Sequence, residues 1–325
     1  MAIEVLKPGL ATSVQDAGRP GYYHLGIPLS GALDQLSFRL ANLLVGNPED
    51  SAALECSLLA PELRFTEDAM VAITGAVATV KVNEKEAPRD TSFTVRAGDT
   101  LKFGFMTLGA RLYVAVAGGI DVPKVLGSRS TYGLGAFGGF KGRKLESGDV
   151  LPVGARSRRA REGTAAPAGW VRQPEKEVRL RVLPGLYDHR LTKEAAVSFY
   201  ADTWSVAPEA DRIGYRYRHG QPLKFRDRTP PFGAGSDPSN IVDAGYPYGS
   251  IQVPGGLEPI ILQRDAVSGG GYAMIGTVVS ADMGLIAQMQ PNYKARFVAV
   301  DMAQALQARA GQTARLKQLR TAFVA

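Results

Sequence analysis

One stretch of the chain, residues 249–272, concentrates side chains that could bind and act on a small molecule. Gln252, Asp265 and Tyr272 supply an amide, an acid and a hydroxyl, and three consecutive glycines fill positions 269–271. Glycine loses more backbone entropy on folding than any other residue, so three in a row are favoured where the chain needs positive φ or where another group must come close to bare backbone amides. The stretch therefore predicts a small-molecule pocket. A tight β-bulge or hairpin corner without a ligand is the alternative.

The elements that must position this stretch are short strands. Segments rich in Val, Ile, Thr and Phe recur along both halves of the chain, each bounded by Gly, Pro, Asn or Asp. Such short, regularly spaced strands are typical of a barrel or sandwich. They cover residues 3–6, 70–75, 79–82, 92–95, 100–105, 112–117, 178–183, 203–206, 214–218, 250–253, 259–262, 274–279 and 295–300. We therefore expect a mostly β fold.

A few helices are predicted between the strands. Asp34 caps one that carries Leu36, Leu40 and Leu44 on one face, and Thr192 caps a second. Residues 281–289 and 301–319 predict two more. Between residues 156 and 177 the apolar periodicity gives way to Arg, Ala, Gly, Pro and Glu, which is typical of a linker. The sequence thus predicts an N-terminal domain of residues 1–155, a linker of residues 156–177, and a C-terminal domain of residues 178–325 that ends in a helix.

Composition excludes several classes of protein. A chain of 325 residues with 45% hydrophobic content can form two packed domains. Its net charge of +7 is concentrated in the predicted linker and the C-terminal helix, and no aromatic residues interleave with a basic stripe, so nucleic acid is not predicted as a partner. No segment predicts a membrane span or a signal peptide, and a cytoplasmic location is expected. The single cysteine, Cys56, and three scattered histidines predict no metal site.

A series of ordered motifs resembles the allophanate hydrolase subunit 2 family. That family includes the C subunit of 5-oxoprolinase and the carboxyltransferase part of urea carboxylase. The motifs, which extend over nearly the whole chain except the linker and the tail, are TSVQDAGRPG (12–21), GIPLSGALD (26–34), ANLLVGN (41–47), LE (54–55), RLYVAVAGGI (111–120), LGSRST (126–131), GGFKGR (138–143), GD (148–149), DRIG (211–214), GSIQV (249–253), PIILQRD (259–265), GGGY (269–272), SAD (280–282) and QMQP (288–291). Several features depart from the family's usual pattern. Ser268-Gly269 stands where a hydroxyl pair is common, Ala273 where proline is frequent, Glu258 where glycine or glutamine is common, and Asn292 where glycine is frequent. Residues 229–248 are also unusual, being rich in proline and aromatic residues.

The resemblance implies two cyclophilin-like β-barrel domains packed around a shared cleft. It also implies a partner, a smaller cyclophilin-like subunit 1 homologue, and a lactam-utilisation subunit as a further partner. Three functions follow from it. The first is a subunit of a 5-oxoprolinase that opens 5-oxoproline to glutamate with ATP. The second is the carboxyltransferase component of a biotin-dependent urea or amide carboxylase. The third is a non-catalytic partner of a kinase-inhibitor-like subunit 1 protein.

The cofactors of these functions are expected to come from other chains. The sequence has no phosphate-binding loop that ends in Gly-Lys-Ser/Thr, so ATP is expected at the level of the complex. It has no Met-Lys-Met biotinylation motif, so biotin could arrive only on a partner. A glycine pattern at residues 133–138 matches the dinucleotide fingerprint, but no strand–helix unit surrounds it and it predicts only a glycine-rich loop.

Opening a lactam, or moving a carboxyl group to an amide, requires a proton shuttle and donors that face the developing oxyanion. We assign the catalytic roles to Asp265, Gln252 and Tyr272, with a turn-capping role as the alternative for Asp265. The residues assigned to substrate binding are Gly269, Gly270, Gly271, Arg212, Arg129 and Arg143, because glycine amides and guanidinium forks suit oxyanions. For each arginine the alternative is a structural clamp on a carbonyl or carboxylate. The supporting residues are Asp16, Arg19, Asp34, Glu55 and Asp282.

Overall fold

A computed structural model describes residues 1–156 and 161–323, and these divide into two units. The first unit comprises residues 1–20, 30–175 and those from Arg315 onward, and the second comprises residues 21–29 and 176–314. The predicted linker falls partly on residues 157–160, which lie outside the described residues. Its described residues up to Glu175 belong to the first unit, where the amide of Ser92 donates to the carbonyl of Thr164 and the amide of Ala166 donates to that of Asp90, and its last two residues belong to the second unit.

The first unit consists of two antiparallel sheets around one apolar core. One sheet has the strand order β11-β1-β4-β9-β6-β7 and the other β2-β3-β10-β5-β8. Buried side chains from both sheets, such as Leu63 and Leu112, meet in this core. The strands are β1 (Ala2–Lys7), β2 (Ala11–Gln15), β3 (Ala53–Ser57), β4 (Glu62–Phe65), β5 (Ala69–Val77), β6 (Val80–Val82), β7 (Lys85–Glu86), β8 (Phe93–Val95), β9 (Thr100–Phe103), β10 (Leu108–Val116) and β11 (Val150–Pro152).

The second unit is built on a closed barrel of seven strands, in the order β12-β19-β16-β17-β14-β13-β20. Strands β12 and β20 run parallel, and the other neighbours run antiparallel. A separate two-stranded ribbon pairs β15 with β18. The strands are β12 (Glu177–Pro184), β13 (Trp204–Val206), β14 (Gly214–Arg218), β15 (Asn240–Gly245), β16 (Ser250–Gln252), β17 (Ile260–Leu262), β18 (Gly269–Tyr272), β19 (Met274–Val278) and β20 (Lys294–Ala299).

Aromatic side chains fill the barrel. Trp204 is fully buried, and the rings of Phe199 and Phe297 stack with centroids 4.6 Å apart. Tyr217 meets Phe297 edge-on at 5.7 Å. Large rings remove much apolar surface from water and pack in preferred stacked or edge-to-face geometries, so this cluster stabilises the barrel that carries the site.

The described residues contain four α-helices: α1 (Gln35–Leu44), α2 (Lys193–Ala201), α3 (Met283–Ala287) and α4 (Met302–Ala322). The predicted caps are in place, since Asp34 accepts from the amides of Leu36 and Ser37, and Thr192 accepts from that of Ala195. The prediction of a mostly β chain with a few helices is confirmed. None of the helices in the described part of the chain has the length and apolar character needed to cross a membrane.

Candidate functional site

A pocket lined by both charged and apolar side chains opens on the barrel of the second unit. Its volume is about 720 Å³, which falls in the usual range for small-molecule sites. Strands β14, β16, β17 and β18 and the turns beside them supply its walls. The lining residues are Glu209, Asp211, Ile213, Gly214, Arg216, Arg218, Gln252, Pro254, Glu258, Ile260, Leu262, Ala266, Val267 and Tyr272. Two of the three predicted catalytic residues therefore line one pocket.

Tyr246 connects these two residues. Its hydroxyl donates to the carbonyl of Tyr272 at 2.7 Å and accepts from the amide of the same residue at 2.7 Å. The side chain of Gln252 hydrogen-bonds to this hydroxyl as well. Burial raises the pKa of Tyr246 above its ordinary value, so the group is a neutral phenol at physiological pH. The sequence did not predict a functional role for Tyr246, although this residue lies within residues 229–248, the segment that is unusual for the family.

The triple glycine is a strand and not an open loop. Positions 269–271 form part of β18 in extended conformation, and none of the three has a positive φ. Of the two reasons inferred from the sequence, a need for positive φ is wrong, and the close approach of another group to the bare backbone is confirmed. A Cβ added at Gly270 would lie 3.0 Å from the ring of Tyr246, and one at Gly269 would lie 3.2 Å from the carbonyl oxygen of Ala244. Close approach by neighbouring groups thus explains the glycines.

Some of the glycine amides can still donate hydrogen bonds to a ligand. Among the described strands β18 pairs only with β15, and an antiparallel ribbon directs alternate amides of each strand away from its partner. The three glycines are partly exposed, and Tyr272 is 43% exposed. This edge of β18 is therefore a polar surface that a substrate could reach.

Asp265 and Arg212 form a bidentate ion pair. The guanidinium donates to the two carboxylate oxygens at 2.7 and 3.0 Å, and the amide of Asp265 donates to the carbonyl of Arg212. Both side chains are mostly buried, and both residues stand beside pocket-lining neighbours rather than in the wall itself. The pair joins the start of β14 to the end of β17. With both oxygens engaged, the carboxylate is better placed to hold this wall than to accept a proton.

A second group of charges, none of them selected as functional from the sequence, stands in the pocket wall. Glu258 accepts from Nε of Arg218 at 2.7 Å and lies 3.6 Å from Arg216. Arg218 also donates to Glu209 at 3.1 Å. Arg216 is 44% exposed and its guanidinium makes no hydrogen bond within the described residues. It is the cation of this wall with most freedom to meet an anionic ligand.

The other predicted arginines and Asp16 belong to the first unit, where each has a partner. Arg129 donates to the carbonyl of Val122 and to Asp121 at 2.7 Å, while its amide donates to Asp16. Arg19 is buried and donates to the carbonyl of Ser130. Asp16 also accepts from Ser128 and Ser130, so one strand end and one loop are joined through its carboxylate.

Arg143 donates two hydrogen bonds, of 2.7 and 2.8 Å, to the carboxylate of Asp149. The hydrogen bonds from Arg143 lower the pKa of Asp149 below its ordinary value, while partial burial opposes the shift. The same carboxylate accepts from the amide of Glu146 at 2.8 Å and so closes the turn before β11. In this geometry Arg143 is a clamp on a turn.

The remaining supporting residues are buried and hydrogen-bonded. Glu55 accepts from the amide of Leu33 at 2.7 Å and from the hydroxyl of Tyr113 at 2.8 Å. Burial, with the nearby carboxylate of Glu55 second, raises the pKa of Tyr113 well above its ordinary value. Asp282 is bound by Arg181 through the main-chain amide, Nε and a terminal nitrogen at 2.9, 3.0 and 2.6 Å.

The glycine-rich loop of the first unit does not have the form of a dinucleotide site. Tyr132 and Phe137 pair across it, and Gly138 and Gly139 take left-handed conformations. In the described residues 133–152 turns lead into β11 with no intervening helix. Among residues 1–156 and 161–323, no group of three or more His, Cys, Asp or Glu is arranged to hold a metal ion.

Comparison with known proteins places this chain in a family. The carboxyltransferase domain, subdomain A and B, matches residues 25–299. The chain is 36% identical to the 5-oxoprolinase C subunit of Escherichia coli (strain K12) over 98% of this chain and 97% of that protein. It is 36% identical to urea amidolyase of Lachancea kluyveri, of which it spans only 18%. The crystal structure of the Kluyveromyces lactis urea carboxylase matches 98% of this chain and 29% of that chain at 35% identity, with a TM-score of 0.90.

These matches confirm the predicted resemblance to the 5-oxoprolinase C subunit and to proteins related to urea amidolyase. The chain covers nearly all of the first relative but less than a third of the second and of the urea carboxylase structure. On the match to residues 25–299, this chain belongs to the carboxyltransferase domain family.

Proposed function

We propose that this chain is the carboxyltransferase-family subunit of a 5-oxoprolinase-type hydrolase, which opens the lactam of 5-oxoproline to give glutamate. The observation that carries the proposal is the similarity to the 5-oxoprolinase C subunit along almost the entire length of both chains. Urea amidolyase, in contrast, is several times longer than this chain. The pocket on the barrel supplies a site of suitable size for the substrate.

One cation of the pocket wall, Arg216, suits the anionic substrate, although three carboxylates line the same wall. 5-Oxoproline carries one carboxylate and one lactam amide. Arg216, exposed and without a hydrogen bond within the described residues, is the group we assign to the carboxylate. Gln252 and the exposed edge of β18 could then receive the amide, with main-chain N–H groups facing the oxyanion that develops at its carbonyl carbon.

Tyr272 and Asp265 take different roles in this proposal. The side chain of Tyr272 lies at the pocket surface, where its hydroxyl can bond to the substrate. Asp265 is bound by Arg212 and acts as a positioning residue that holds the end of β17 against the start of β14. The general base of the reaction is then expected from another group in the assembled enzyme.

Such an enzyme requires partners. A subunit 1 homologue and a lactam-utilisation subunit would complete it and would bind the ATP whose hydrolysis drives ring opening. No nucleotide-binding loop of the P-loop or dinucleotide type is found in the described residues. Within this chain the pocket residues bind and orient the lactam and exclude water from it. We propose a cytoplasmic location for the complex.

The test is reconstitution with partner subunits. We expect 5-oxoproline-dependent ATP hydrolysis and glutamate formation only when this chain is combined with its partners. Gln252→Ala and Arg216→Gln should each lower turnover at least about tenfold, since each removes a polar contact to the substrate. Gln307→Ala and Arg309→Gln, which make the same chemical changes at exposed positions of α4, should leave it unchanged.

Two results would contradict the assignment. Unaltered turnover in both pocket variants would show that the substrate binds elsewhere. An assembled complex without lactam hydrolysis would refute the proposed reaction, whatever the variants do. Asp265→Asn should reduce the stability of the chain more than it reduces the turnover of the folded fraction, because the carboxylate positions the wall.

A second function is favoured by the structural match to the urea carboxylase, at a TM-score of 0.90 over 98% of this chain. In that function the same pocket would receive an amide, and a carboxyl group would arrive on biotin carried by a partner. Mixing the complex with a carboxylated biotin carrier and urea distinguishes the two. Transfer of labelled carboxyl to urea would support this function, and glutamate formation from 5-oxoproline would support the first.

A further inference from the structure

A second pocket of the barrel unit is lined by arginines. It has a volume of about 540 Å³ and includes Arg190, Arg226 and Arg228, together with His189 and Tyr187. It shares no lining residue with the pocket assigned to the lactam. Strand β15 contributes Ile241, Val242 and Asp243 to this second pocket, whereas its partner β18 contributes Tyr272 to the first.

Within residues 1–156 and 161–323, the hydrogen bonds of the three guanidinium groups all go to main-chain carbonyls. Arg190 donates to the carbonyls of Pro238 and Asn240, and Arg228 donates to the same Asn240 carbonyl. Arg226 donates to the carbonyl of Leu191 at 3.0 Å. The Nε of Arg228 is buried without a hydrogen-bond partner among the described residues. Two cations thus converge on one neutral oxygen and retain unused donors.

None of the three arginines forms an ion pair with a carboxylate in the described part of the chain, although the charge of Arg226 acts on the exposed carboxylate of Glu194. Asp227 and Asp243 line the same pocket, but neither forms an ion pair with an arginine in the described part of the chain. Burial, followed by the nearby charge of Arg228, lowers the pKa of Arg190. Packing like charges together costs free energy that an anion between them would recover.

Aromatic rings fix the orientation of Arg190. Its guanidinium lies 5.9 Å from the ring centroid of Tyr187 and 6.0 Å from that of Phe225. These distances are those of cation–π contacts, which restrict the orientation of the fork. A guanidinium that is held in place before binding loses less entropy when it meets a ligand.

We infer that this pocket binds a small molecule through an oxyanion, a carboxylate or a phosphate, which accepts hydrogen bonds from Arg190, Arg226 and Arg228. Guanidinium forks match both groups in geometry and bind them through paired, charge-assisted hydrogen bonds. Such binding does not depend on lactam hydrolysis, because the pocket is formed by different residues. The same anion binding is expected if the chain is a component of a carboxyltransferase.

The test is calorimetric titration of the full chain with pyrophosphate and, separately, with glutarate in a low-salt buffer free of both. We expect saturable one-to-one binding of at least one probe, weakened by added salt because screening reduces the attraction. Binding of pyrophosphate alone identifies a phosphate site, and binding of glutarate alone identifies a carboxylate site. Arg226→Gln and Arg228→Gln should each weaken the bound probe about tenfold or more.

Controls separate this site from general charge. Arg309→Gln removes the same charge from the exposed face of α4 and should leave the affinity unchanged. The inference is overturned if neither probe binds saturably at millimolar concentration. It is also overturned if Arg226→Gln and Arg228→Gln bind the probe with the same affinity as Arg309→Gln while their thermal unfolding shows intact folds.

Discussion

Replacing Tyr246 with phenylalanine should lower the free energy of unfolding by about 2–3 kcal/mol. The hydroxyl makes two hydrogen bonds of 2.7 Å with the main chain of Tyr272 and a third with the side chain of Gln252. A neutral hydrogen bond contributes about 1 kcal/mol net, and groups left unsatisfied in a buried place cost more. Because Tyr246 is only 1% exposed, water does not replace its hydroxyl without rearrangement.

Tyr293→Phe is the matched control. Tyr293 is also buried in the second unit, and its hydroxyl has no hydrogen-bond partner in the described part of the chain. Removing an unpartnered hydroxyl should be neutral or slightly stabilising. Urea denaturation of the two variants beside the unmodified chain measures the difference directly. Equal free energies of unfolding for Tyr246→Phe and Tyr293→Phe would refute the role given to the Tyr246 hydroxyl.

The same pair of variants tests the link to function. Without the Tyr246 hydroxyl, Tyr272 and Gln252 lose the group that fixes their positions at the pocket. In the reconstituted enzyme the folded fraction of Tyr246→Phe should show reduced turnover, since catalysis depends on close positioning. Tyr293→Phe should retain full turnover. A fully active Tyr246→Phe enzyme would mean that this network supports only the fold.

Three other predictions concern single positions. Gly270→Ala should destabilise the chain in thermal unfolding, because the added Cβ would lie 3.0 Å from the ring of Tyr246. Gly311→Ala is the control: its Cβ would point into open space on helix α4, so it should stabilise the chain by up to about 1 kcal/mol. Asp149→Asn should lower the free energy of unfolding at neutral pH, because Arg143 depresses the pKa of Asp149 in the folded state. This contribution to stability is fully present above 3.8, the ordinary pKa of Asp149, and is lost as the pH falls through the lower folded-state pKa, so the effect of the substitution should shrink in that range. The loss should be visible in urea titrations at several pH values, and a pH-independent loss would contradict it. Cys56 should not react with a thiol reagent until the chain is unfolded, because complete burial raises the pKa of its thiol, and rapid labelling of the native protein would contradict this.

Local features of the fold were predictable because they depend on residues close in sequence. Asp34 caps α1 through amides two and three residues away, and Thr192 caps α2 through an amide three residues away. The division into units does not depend on residues close in sequence. Residues 21–29 belong to the second unit and those from Arg315 onward to the first, although sequence order predicts the reverse assignment. Nothing in the local composition of these segments indicates which core they join.

The candidate site shows the same limit. Sequence patterns indicated Gln252 and Tyr272, which line the pocket, but not Tyr246, which lies 26 residues from one partner. The glycines predict the close approach of another group, but not that this group is the ring of that same tyrosine, which excludes a Cβ at Gly270. The wall charges Arg216 and Glu258 meet only because β14 pairs with β17 in the barrel.

The sequence by itself determined the family, the mostly β character and the helix caps, because each depends on residue types at fixed local spacing or on ordered motifs. Only the tertiary structure decided which charges are neutralised and which remain available. Arg212 is bound by a carboxylate, while Arg190 and Arg228 share a carbonyl. The physical reason is that barrel closure and ribbon pairing bring together groups separated by tens of residues. An arginine acquires its role from the partner that the fold places beside it.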